Sequence, residues 1–190
     1  MTENDKAEFD SLVPARSFDR RSFLVTSLGA GFALATLPVA AQTAIRTDAV
    51  GLLEGEVKLP VFDGEMVAYR AAPANVARPP VVLLISEIFG VHEYIRDTAR
   101  RLAKEGYFVI APELFARQGD PRKIASVAEI IEKISGRTPD AQVMKDLDAS
   151  VAWAATQGAD TSRLAITGFC WGGRITWLYS AHNPAVKAGV

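Results

Sequence analysis

Arg163-Leu164-Ala165-Ile166-Thr167-Gly168-Phe169-Cys170-Trp171-Gly172-Gly173-Arg174-Ile175-Thr176-Trp177 is the stretch on which the fold turns. Its apolar opening, Leu164 to Thr167, reads as a short buried strand. Ile175, Trp177 and Leu178 read as the start of a helix. Between them, Gly168-Phe169-Cys170-Trp171-Gly172 has the small-x-nucleophile-x-small pattern of a nucleophile elbow, with Cys in place of the more usual Ser. Such a turn is so tight that side chains two places before and after the nucleophile would collide. Gly168 and Gly172 remove that collision because glycine lacks Cβ. The turn would also set the Cys170 sulfur at a helix N-terminus, where backbone N–H groups favour a thiolate. The Trp171 N–H would then face a tetrahedral oxyanion. The competing reading of Cys170 is a small buried hydrophobe.

Working outward, strands alternate with helices. Glu54 to Pro60 and Glu65 to Ala71 flank Phe62-Asp63-Gly64, a hairpin signal that predicts two antiparallel strands. Val81 to Ile85 is a continuous apolar run, expected for a strand covered on both faces. It leads into a loop at Ser86-Glu87-Ile88-Phe89-Gly90. Residues 94–105 read as a helix ended by Gly106, and residues 107–111 as the next buried strand, stopped by Pro112. Residues 122–135 carry Ile124, Val127, Ala128 and Ile131 at helical spacing. A further helix is expected after Thr138, with Pro139 at its first position and Val143, Leu147, Val151 and Ala154 inward. Val186 to Val190 reads as one more strand. The pattern is that of an open α/β sheet, and ligands of such sheets bind beyond the carboxyl ends of the strands. That rule gathers the Glu87 loop, the Arg117 loop and the Cys170 elbow in one place.

Length and composition fit one globular domain: 190 residues, 49% hydrophobic and 23% charged. A net charge of −1 gives no support to a nucleic-acid partner. One Cys excludes an internal disulfide and a Cys-rich zinc site. The N-terminal segment stands apart. Asp19-Arg20-Arg21-Ser22-Phe23-Leu24 precedes a moderately apolar run from Val25 to Ala41 rich in Gly and Ala, which resembles a twin-arginine export signal. The alternative is a single membrane anchor. The expected division is a signal segment, 1–41, and a partial α/β domain, 42–190. Localisation would then be periplasmic or secreted, with the twin-arginine export machinery as a partner.

Three motifs together carry a family resemblance. Ser-Glu-Ile-Phe-Gly-Val (86–91), Ala-Pro-Glu-Leu-Phe-Ala-Arg-Gln (111–118) and Gly-Phe-Cys-Trp-Gly-Gly (168–173) look like the dienelactone hydrolase family, in order and in spacing. The resemblance implies an α/β-hydrolase fold, a mostly parallel sheet with helices on both faces. It also implies hydrolysis of a lactone or carboxylic ester, with no metal or organic cofactor. Cys170 would be the nucleophile of an acyl-enzyme, Glu87 the residue that helps deprotonate it, and Arg117 the holder of a substrate carboxylate. Trp171 and Ile88 would supply oxyanion N–H groups. The resemblance further implies an Asp after the next strand and a His on a later loop, and both would fall past Val190. The 190-residue form is therefore expected to lack the last strands and to be weakly active or inactive. His182 lies about 18 Å from Cys170 along a helix rising 1.5 Å per residue, and reads as a helix-end residue. His92 lies in the Glu87 loop and can approach the site. The alternatives from other classes are a non-catalytic α/β module binding a small ligand, and a thiol redox protein; no Cys-x-x-Cys favours the latter.

Overall fold

A computed structural model describes residues 46–190. The signal or anchor segment read at residues 1–41 lies outside the described residues. Among these, no helix is long and apolar enough to cross a membrane.

Two long antiparallel strands, β1 (Leu52–Val61) and β2 (Gly64–Pro73), form the expected hairpin around Phe62-Asp63 and pair along their whole length. Each extends past the sequence-predicted limits. Four further strands follow: β3 (Pro80–Ile85), β4 (Phe108–Pro112), β5 (Asp160–Gly168) and β6 (Val186–Gly189). The sheet order is β1-β2-β4-β3-β5-β6. β2 joins β4 antiparallel, and the β4-β3, β3-β5 and β5-β6 pairs are parallel. The central strands β3 and β4 are buried almost throughout because both faces of the sheet are covered.

One face carries α1 (Glu93–Lys104), whose Ile95, Ala99 and Ala103 pack with Tyr69, Leu84 and Val109. The other carries α3 (Asp140–Thr156) and α4 (Trp171–His182), with Val143, Leu147, Ile175 and Tyr179 against Leu83, Ile110 and Ile166. Between β4 and α3 lies the short α2 (Val127–Lys133). The single helix expected over residues 122–135 is thus three pieces. A 3-10 turn at Pro121–Lys123 is capped by Asp120, whose side chain accepts from the Arg122 N–H, and a second follows at Ser135–Arg137. Ser126 caps α2 by accepting from the Glu129 N–H. Ser126-x-x-Glu129 is a capping-box spacing, the local signal that overrides the longer periodicity. In α2 it is Ile130 that is buried, and Ile131 points to solvent. Pro139 stands at the N-cap of α3 rather than inside its first turn, and Val151 is half-buried rather than core.

The chain just before β1 is tied to α1. Thr47 donates its N–H to Asp97 Oδ1 (2.5 Å), Arg100 Nε donates to the Thr47 carbonyl (2.9 Å) and Lys104 Nζ reaches Asp48 (2.6 Å). Burial pushes the Asp97 carboxyl up, but the Thr47 and Arg101 hydrogen bonds outweigh it and hold it below the ordinary carboxylate value. A folded-state pKa below the unfolded one means stability present at neutral pH and lost on acidification. Asp97→Ala is expected to cost about 1–3 kcal/mol by orphaning these donors. Urea denaturation should show that deficit at pH 7, shrinking as the pH falls below the ordinary carboxylate range.

Candidate active site

β3 and β5 pair in parallel register, with Ile85 opposite Gly168. The chain past Ile85 and the chain past Gly168 therefore leave the sheet side by side. The first becomes the 86–92 loop and the second the elbow. Phe169 N–H donates to the Ile85 carbonyl (3.2 Å) and Gly172 N–H to the Phe169 carbonyl (2.8 Å), which folds the turn back against β3. Cys170 adopts φ 53° and ψ −110°. That conformation is costly for a residue with a Cβ and persists only where the surroundings enforce it.

The surroundings are the two glycines. A Cβ on Gly168 would lie 2.5 Å from the Gly172 carbonyl carbon and oxygen. One on Gly172 would run into the Ile85 and Ser86 carbonyl oxygens, the latter at 2.6 Å. Gly173 differs, since its added Cβ would meet only the Gly168 oxygen at 3.5 Å, an ordinary contact. Cys170 is the N-cap of α4 and is exposed. Trp171, the first helical residue, has an N–H with no acceptor inside the helix. The Ile88 amide lies in the neighbouring loop, two residues past Ser86, with the Ile88 side chain buried.

Glu87 is 15% exposed, and its Oε2 lies 3.0 Å from His92 Nε2. The His92 ring stacks on Tyr94, whose ring meets Phe169 edge-on. Trp171, on the other side of Cys170 in sequence, packs against Phe115. The 86–92 loop is held at Val91. Glu113 accepts the Val91 N–H (3.3 Å), while Arg122 and Arg96 each donate to the Val91 carbonyl at 3.3 Å. Gly90, at φ 76°, leaves room for this clamp, since a Cβ there would lie 3.0 Å from Glu113.

Arg117 has other partners than those expected of a substrate-binding residue. It forks onto Asp63 in the β1-β2 turn (Nε 2.7 Å, Nη2 2.6 Å) and onto Asp146 of α3 (Nη1 2.7 Å, Nη2 3.0 Å). Two carboxylates thus occupy its donors, and a substrate carboxylate would have to displace one. His182 sits at the far end of α4, bonded to Asp148 (2.9 Å). Sequence reading missed the Glu87–His92 contact, the Glu113–Arg122 clamp and the partners of Arg117. None of the three had a local signal, since the partners lie far apart in the chain or in a loop without repeating geometry. Among the described residues no cluster of three or more His, Cys, Asp or Glu can hold a metal.

A positive-φ residue at the turn between a parallel strand and a helix, in this strand order, defines the α/β-hydrolase class. The description "Dienelactone hydrolase family" matches residues 66–190. A Methylorubrum extorquens protein with the provisional name carboxymethylenebutenolidase is 60% identical over 191 residues, covering 100% of this chain and 65% of the relative. An Escherichia coli protein of the same name is 48% identical over 168 residues, 88% of this chain and 62% of the relative. A crystal structure from Klebsiella pneumoniae, provisionally a dienelactone hydrolase, superimposes with a TM-score of 0.71 at 52% identity, over 72% of this chain and 58% of that one. The chain belongs to the dienelactone hydrolase family. It spans less than two thirds of the length of these relatives.

Proposed function

We propose that this protein hydrolyses a carboxylic ester or lactone through an acyl intermediate on Cys170. The Cys170 thiolate attacks the carbonyl carbon. The resulting oxyanion is received by the Trp171 and Ile88 N–H groups, and its collapse expels the alkoxide, which takes up a proton. Water then cleaves the thioester, releasing the acid and restoring the thiol. Glu87, once released from His92, takes the thiol proton. The observation that carries this reading is the elbow itself: a strained, exposed Cys170 at a helix N-terminus, enforced by two glycines that nothing larger can replace. A buried structural cysteine needs no such conformation.

Among the described residues no histidine bonds to Cys170, so the 190-residue chain is expected to turn over weakly. Twin-arginine export and work in the periplasm complete the proposal, on the strength of Arg20-Arg21 and the Gly/Ala-rich run that follows. The test is hydrolysis of a small chromogenic ester and of a dienelactone by the wild type and by Cys170→Ala. Turnover that disappears with the thiol is the expected result. Turnover that survives in Cys170→Ala would sink the nucleophile assignment.

A further inference from the structure

The loop over residues 86–92 carries the Ile88 N–H and is fixed at two points. At its start the Ile85 carbonyl accepts the Phe169 N–H at 3.2 Å, which ties the strand end to the elbow. At its other end the N–H and the carbonyl of Val91 are both taken up by side chains. Glu113 Oε2 accepts the N–H at 3.3 Å, while Arg122 Nη1 and Arg96 Nε donate to the carbonyl. The Val91 side chain is buried, in the cluster that holds Leu84 and Ile95. Glu113 is the best anchored of the three. Its own N–H donates to the Val67 carbonyl of β2 at 2.9 Å. Its side chain is 12% exposed, and its second oxygen meets Arg122 Nη1 at 3.0 Å. The loop is pressed onto this carboxylate, since a Cβ at Gly90 would lie 3.0 Å from Glu113 Oε2 and 3.3 Å from the buried Pro121. The Val91 carbonyl has two donors and can lose one. The Val91 N–H has Glu113, and a buried N–H without its acceptor is costly.

We propose that Glu113 is a positioning residue for acyl transfer: by holding Val91 it fixes the 86–92 loop and keeps the Ile88 N–H aimed at the developing oxyanion. This rests on the proposed reaction at Cys170, with Ile88 as an oxyanion donor. When the thiolate adds to the ester carbonyl, the π pair moves onto oxygen, and the amide receives that charge. Alkylation of the same thiol by iodoacetamide expels iodide and builds no oxyanion. The two reactions share a nucleophile and differ in their need for the loop.

Glu113→Ala is expected to lower kcat/KM for a chromogenic acetate ester by about ten- to hundredfold while the iodoacetamide rate at Cys170 stays within about twofold of wild type. Followed from pH 6 to pH 10, the ester rate should fall by one factor throughout, whereas loss of a base would displace the profile. Glu113→Gln keeps an acceptor for the Val91 N–H and should recover most of the loss. Arg122→Ala leaves Arg96 on the carbonyl and should cost less than Glu113→Ala. Hydrogen–deuterium exchange reads the loop without turnover: in Glu113→Ala the amides of residues 86–92 should exchange faster, with those of α4 unchanged. An unchanged exchange pattern, a wild-type ester rate, a displaced pH profile, alkylation that falls in step with hydrolysis, or a glutamine variant no better than alanine would overturn the inference. Selective opening of the loop in a protein without Cys170-dependent hydrolysis would instead count against the proposed reaction and leave the hold of Glu113 on the loop standing.

Discussion

Gly172→Ala is expected to disrupt the elbow, with loss of both folding stability and Cys170-dependent chemistry, while Gly173→Ala one residue later is tolerated. The two glycines look alike in sequence and differ in what a methyl group would meet. At Gly172 the obstacles are the carbonyl oxygens of Ile85 and Ser86. These are backbone atoms at the end of a buried strand, and no rotamer change moves them aside. Overpacking a core costs about 1–3 kcal/mol where side chains can adjust, so a clash with fixed backbone belongs at or beyond the top of that range. Any relief must come from moving the elbow away from β3. A shift of about 1 Å is enough to lose some hundredfold in rate through misplacement of reacting groups. At Gly173 the nearest atom to an added Cβ is 3.5 Å away, and alanine is the better helix former by about 1 kcal/mol. Urea denaturation and the iodoacetamide rate at Cys170 measure the two effects separately. A Gly172→Ala protein with wild-type stability and thiol reactivity would contradict the steric account of the turn.

Arg117→Ala is expected to destabilise the domain by about 3–5 kcal/mol, the usual cost of leaving a buried charge without its partner. The charge at risk is Asp146, whose side chain is fully buried on α3. Burial pushes its carboxyl up, and Arg117 pulls it back only in part. Removing the guanidinium leaves burial opposed only by the Gln142 hydrogen bond, so folded Arg117→Ala should hold a proton on Asp146 that the unfolded chain gives up. A folded pKa above the unfolded one makes stability fall as pH rises through the interval between them. The variant should therefore be least stable at neutral pH and recover part of its deficit on mild acidification. Asp146→Asn placed on top of Arg117→Ala should rescue stability at pH 7, because the amide carries no charge to orphan. Thermal melts at pH 5 and pH 7.5 for the single and double variants decide the matter. A substrate-binding role for Arg117 makes the opposite forecast, a large change in KM with little change in melting temperature.

These two cases mark where the sequence was informative. The elbow was legible at Gly168-x-Cys170-x-Gly172 because its constraint is local: steric contacts within five residues and the strand end they rest on. The hairpin and the buried strands were legible for the same reason, since periodicity and turn chemistry are short-range. Arg117 was not. Its motif pointed to a ligand, but its partners lie on a hairpin turn and a distant helix, and only the packed fold brings Asp63 and Asp146 to it. The Glu87–His92 contact is hidden differently. The residues are five apart in a loop with no repeating geometry, so spacing alone says nothing of their approach. The broken helix at residues 121–137 was readable in principle, since Asp120-Pro121 and Ser126-x-x-Glu129 are start signals, but a run of apolar residues at helical spacing masks them.

The pairing of β3 with β5 has a consequence for how the molecule comes into being. These neighbours in space are separated along the chain by α1, β4, α2 and α3. Closing so long a loop is entropically costly, and parallel pairings between distant segments are slow to form. The hairpin and α1 can organise early from local contacts. The thiol does not acquire its environment until β5 has inserted beside β3 and drawn α4 after it. Reactivity at Cys170 should thus be among the last properties to emerge during refolding, lagging behind the recovery of helical signal.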